Sequence, residues 1–190
     1  MKRYRDLVAE ADRHFDSAIA GMPQHFECRR GCTLCCFGLF EITRLDLPLL
    51  EQGFFRLDSA ERERVEREVA AILRKHPVPD DWEAESDEAR EGWFEATAGV
   101  KCPMLDSTGG CVVYESRPLL CRTFGLPIRE GARYIGDECG LNFRKATRAE
   151  KLAAAWDLET EEDSDAAEEL TIPEAIELIR RLREGEEGAG

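Results

Sequence analysis

A chain of 190 residues can bury its own core and does not need a metal simply to fold. Its formal net charge of −14 argues against a nucleic-acid partner, and no run approaches the roughly 18 apolar residues of a membrane span. The opening residues Met1 to Asp6 are charged and lack the apolar core of a signal peptide, so the expectation is a cytoplasmic chain whose eight cysteines stay reduced.

Tyr4, Leu7, Val8, Ala11, Phe15, Ala18 and Ile19 recur at helical spacing over residues 3–20, and Gly21-Met22-Pro23 ends the pattern. His14 lies in this amphipathic helix. His25, just beyond it, is close enough to Cys28 to be a subsidiary ligand candidate. Then comes the densest feature of the chain, Cys28, Cys32, Cys35 and Cys36 within nine residues. Residues 37–42 are apolar and aromatic enough for a short strand. Thr43 to Asp46 has the form of a capping box, predicting a helix through Leu50 that stops at Gly53. Asp58 caps a longer helix that runs to Lys75, with Val65, Val69, Ile72 and Leu73 on one face.

The stretch from Pro79 to about Glu91 reads as an exposed acidic insertion whose ends dock through Trp82, Trp93 and Phe94. Residues 78–98 carry eight acids against Arg90 alone. Gly109-Gly110 between short apolar runs signals a hairpin with Cys102 and Cys111 on its two arms. Ser116 and Pro118 read as the N-cap and first turn of a short helix carrying Cys121. Residues 128–135, interrupted by Gly131, read as a second hairpin that delivers Cys139. Helices are expected over 148–158 and 171–183, the second opening at the box Thr171 to Glu174, with a mobile acidic linker, 159–169, between them.

Eight thiols in a reducing compartment are best read as metal ligands. Adjacent side chains diverge, so Cys35 and Cys36 cannot easily complete one tetrahedral ion. Two centres, or one multinuclear cluster, relieve this, and the N-terminal four would then recruit thiols from the second half. The loop 28–36 is therefore expected to pack against the hairpin of Cys102 and Cys111 and the helix of Cys121. All-thiolate sites suit zinc and iron–sulfur clusters alike. The second-half cysteines are singletons rather than paired zinc knuckles, which leans toward iron. Arg29, Arg30, Lys101, Arg117 and Arg122 lie near cysteines in sequence and are candidates for offsetting thiolate charge; ordinary surface placement is the alternative.

The pattern C-x3-C-x2-C-C, followed by Cys102-Pro103-Met104-Leu105 and then by Gly110-Cys111-Val112-Val113-Tyr114 through Arg117-Pro118-Leu119-Leu120-Cys121-Arg122, resembles the YkgJ-like cysteine-cluster family of zinc- or iron-chelating domains. The resemblance covers about residues 26–140 and implies metal chelation, with Cys28, Cys32, Cys35, Cys36, Cys102, Cys111, Cys121 and Cys139 as ligands, and iron, as an Fe–S cluster, or zinc as cofactor. It supplies no substrate. Related clusters occur in a flagellin lysine methylase, and Cys28, Cys32 and Cys35 match the spacing with which radical S-adenosylmethionine enzymes hold a cluster. A methylase-like enzyme is therefore one alternative, although the strand–helix alternation of those enzymes is missing here. A metal-stapled interaction module, working through the acidic C-terminal extension, is the other.

The expected architecture is α+β, mainly helical, with short β-hairpins around a cysteine-rich metal site. Its parts are an N-terminal helix (1–25), a cysteine-cluster domain (26–145) with a helical insertion (53–99), and an acidic helical extension (146–190).

Overall fold

In a computed structural model of the chain, residues 2–29, 31–79, 82, 85–137, 139–161 and 168–188 are described. The protein is α+β and mainly helical, with two small sheets. It divides into two compact units, Met1–Cys35 with Pro118–Ala167, and Cys36–Arg117 with Glu168–Gly190. The division falls between two adjacent cysteines, inside a 3-10 turn over Leu34–Cys36.

The first unit opens with α1 (Lys2–Gly21), close to the helix expected from spacing. Val8, Ala11 and Ala18 form its buried stripe. It packs on α5 (Leu119–Thr123), where the buried guanidinium of Arg122 pairs with Asp12 of α1. Helix α5 differs from expectation at its start: Pro118 is the N-cap residue with no side-chain cap, and Ser116 lies buried in a preceding 3-10 turn, Tyr114–Ser116.

The hairpin of β2 (Pro127–Glu130) and β3 (Arg133–Asp137) forms as expected, antiparallel, with Gly131 at φ 54°. Helix α6 (Arg148–Ala154) ends four residues earlier than its periodicity suggests. Trp156 instead enters β4 (Trp156–Asp157) and pairs in parallel with Ile128 of β2, a non-local partner that overrides helix propensity. The expected linker, 159–169, lies largely outside the described residues.

The second unit is built on α2 (Leu47–Phe55), α3 (Ser59–Lys75) and α7 (Ile172–Gly188), with α7 against both others. Leu50, Phe54, Val65, Val69, Ala175, Ile176 and Ile179 fill its core. The short antiparallel pair of β1 (Glu41–Thr43) and β5 (Glu169–Thr171) leads into α7. Three local caps form as read: Asp46 accepts from the Thr43 N–H, Asp58 from the Glu61 N–H, and Glu174 from the Thr171 N–H. The Thr43 box first closes a 3-10 turn, Arg44–Asp46, before α2 begins.

Helix α2 does not stop at Gly53. That glycine is buried within the helix, and a Cβ there would stand 2.6 Å from the Cβ of Ser116, so it is a packing glycine. Helix α4 (Asp87–Thr97), capped by Ser86, begins within the acidic insertion and runs past its expected end. Part of the insertion lies outside the described residues, but its aromatic anchors pack together: Trp82 meets Trp93 and Phe94 edge-on and donates its indole N–H to Glu41. No described helix is long and apolar enough to cross a membrane.

Candidate metal centre

Cys102 and Cys139 are buried, and the other six cysteines are partly exposed. The second unit holds three of the eight, Cys36, Cys102 and Cys111. Segment 36–38 runs antiparallel to 100–102: the Cys102 N–H donates to the Cys36 carbonyl at 2.8 Å, and the Gly38 N–H to the Val100 carbonyl at 2.8 Å. Phe37 bridges Lys101 between them. The expected hairpin is reduced to a tight loop with a single bridge, Leu105 to Cys111, and no extended arms. The Leu105 N–H in turn donates to the Cys102 carbonyl at 3.1 Å. The backbones of Cys36, Cys102 and Cys111 are thus linked in one small network.

Asp106 holds that loop. Its carboxylate accepts from the Thr108 hydroxyl, the Thr108 N–H and the Gly110 N–H at 2.7, 2.7 and 2.9 Å. These bonds favour the ionised form, led by the Thr108 hydroxyl, and hold the carboxyl below its ordinary pKa. Lys101 donates its ammonium to the Asp106 carbonyl at 3.2 Å. Arg117 lies over the Tyr114 ring at 4.1 Å.

The first unit holds Cys28, Cys32, Cys35, Cys121 and Cys139. Cys32 closes a four-residue turn, its N–H donating to the Arg29 carbonyl at 2.8 Å, and Gly31 takes the φ of 90° that the turn requires. Cys121 rides on α5. Asn142, not anticipated from sequence, ties the Cys28 segment to the loop after Cys139. Its buried Oδ1 accepts from the N–H groups of Glu27 and Cys28 at 2.9 and 3.1 Å, while Nδ2 donates to the Gly125 carbonyl at 2.8 Å. The Leu141 N–H donates to Cys139 Sγ at 3.4 Å, the kind of contact that stabilises a thiolate in a metal site.

Both histidines of this unit have partners away from the cysteines. His14 donates Nε2–H to the Ala154 carbonyl at 3.0 Å, with its ring edge-on to Trp156. His25 stacks on Phe143 and directs Nε2 to Glu150 at 3.3 Å. Glu150 also accepts from the Thr147 N–H and hydroxyl, each at 2.7 Å, and these bonds with that of His25 lower its pKa to about 2.

Among the described residues, no group of three histidine, cysteine, aspartate or glutamate side chains is already drawn together to hold an ion. What suits a soft metal here is the donor chemistry: eight thiols, two of them buried, carried on loops, a 3-10 turn and the short helix α5. Glu138 and Arg30, neighbours of cysteines in sequence, lie outside the described residues.

The chain matches a known family. The model of CxxCxxCC, described as a putative zinc- or iron-chelating domain, covers residues 27–140. No curated protein and no solved structure matches the chain.

Proposed function

We propose that this chain, which belongs to the CxxCxxCC family, holds zinc or iron through Cys28, Cys32, Cys35, Cys36, Cys102, Cys111, Cys121 and Cys139, with Cys35 and Cys36 serving different metal ions. The observation that carries the reading is the backbone pairing of Cys36 with Cys102, which gives the last cysteine of the cluster partners from far along the chain. Adjacent side chains diverge, which supports separate assignments for Cys35 and Cys36. Because no three donors are preassembled among the described residues, the loops close on the ion, and binding and local folding form one equilibrium.

The finer reading is an iron–sulfur centre in a cytoplasmic protein. Gathering single thiols from distant positions is how clusters collect ligands, and eight cysteines suit a reducing compartment. Anaerobic purification followed by Mössbauer and visible spectroscopy tests the metal: cluster signals are expected, and a colourless protein carrying zinc alone would overturn the iron reading. Chelation should expose residues 28–36 and 102–111 to proteolysis. Unchanged cleavage after full metal removal would contradict the coupling of binding to folding.

A further inference from the structure

The first unit carries two adjoining clefts on one side of the Cys28 to Cys32 segment. One, of about 490 Å³, is lined by His25, Glu27, Leu141, Arg144 and Lys145 among others. The other, of about 430 Å³, is lined by Glu27, Arg29, Cys32, Leu141 and Arg144. Glu27, Leu141 and Arg144 belong to both, so the two adjoin and share a wall, a depression on the scale of a small metabolite.

Its electrostatics run against those of the chain. The protein is at −14 overall, and several cations elsewhere in this unit pair with carboxylates, as Arg122 does with Asp12 and Arg129 with Asp157. Arg29, Arg144 and Lys145 are exposed, and among the described residues their side chains make no ion pair. Three cations face this depression, and among the described residues its lining includes a single acid, Glu27.

The walls are also fixed in advance. Segments 25–28 and 142–143 are joined by the bonds from Glu27 and Cys28 to Asn142 and by the Phe143 N–H to the His25 carbonyl at 2.8 Å. Phe143 has φ 53°, the sole positive value outside glycine among the described residues, in a region that large side chains avoid. Its buried ring, packed on His25 and Phe26, holds the backbone there. That reversal sets Arg144 and Lys145 beside the segment bearing Arg29. A site whose cations stand on preorganised backbone loses little entropy on binding.

We infer that this depression binds a small molecule through a phosphate or carboxylate group held by Arg29, Arg144 and Lys145, beside Cys32. Arginine forks match either oxyanion in two-point contact. The inference stands on the clefts and their charges and does not depend on the metal reading.

Calorimetric titration of the full chain with inorganic phosphate, and separately with malonate, at low ionic strength tests it. Saturable one-to-one binding is expected for at least one probe, and the stronger of the two identifies the group. Arg144→Ala and Lys145→Gln should each weaken it about tenfold, while Arg74→Ala, an exposed cation on α3, should leave it unchanged. Metal content should be the same in all variants, which separates this site from the thiolates. No saturable binding of either probe, or equal affinity in the Arg144 and Arg74 variants, would overturn the inference.

Discussion

The backbone N–H of Cys102 donates to the carbonyl of Cys36 at 2.8 Å, joining the tight cysteine cluster to the singleton cysteines of the second half. Side chains on neighbouring, paired segments act on the same ion far more readily than those on unrelated loops, and residues sharing a ligand set are strongly non-additive. Cys36→Ser and Cys102→Ser should therefore each release metal, and the double variant should lose no more than the worse single one. Additive losses, measured by metal analysis of the three proteins, would assign the two thiols to separate centres.

Asn142 should be a principal strut of the first unit. Its buried side chain makes three hydrogen bonds, to Glu27, Cys28 and Gly125. Asn142→Ala leaves those groups without partners and is expected to cost roughly 2–4 kcal/mol in urea unfolding. A loss below about 1 kcal/mol would mean that water replaces the amide without penalty.

Gly53 gives a test with two opposing effects. Alanine is favoured over glycine inside a helix by about 1 kcal/mol, but here the new Cβ would stand 2.6 Å from Ser116 Cβ. Overpacking of this kind costs about 1–3 kcal/mol, so Gly53→Ala should destabilise. Adding Ser116→Gly should restore part of the loss. A stabilised single variant would show that α2 has room to shift.

The caps at Asp58, Thr43 and Thr171 were legible in the sequence because each is made by a side chain and backbone only three residues apart. The cysteine spacing was legible for the same reason. Gly53 has the look of a helix stop in sequence because its packing neighbour, Ser116, is remote along the chain. The early end of α6 depends on Trp156 finding Ile128, and the loop at Cys28 depends on Asn142; both are tertiary pairings with no local signature. Ser116 has the chemistry of an N-cap, yet Pro118 follows it and α5 begins only at Leu119, leaving the serine inside the preceding turn.

Glu150 links His25 to the N-terminus of α6. Its pKa is lowered from the ordinary 4.5 to about 2 by the Thr147 N–H and hydroxyl and by His25. A carboxyl depressed in the folded state stabilises fully above its ordinary pKa, and that contribution is lost as pH falls through the folded value. The stability difference between the wild type and Glu150→Gln should hence be greatest near neutrality and shrink between about pH 4.5 and about pH 2. A difference independent of pH across that window would show that the bonds do not favour the ionised form.

Metal content measured alongside thiol titration on anaerobically purified protein decides whether the eight thiols are metal ligands. At least one equivalent of iron plus zinc per chain is expected, with most of the eight thiols unreactive until the metal is removed. Less than one equivalent, with all eight thiols titrating in the native protein, would contradict that role.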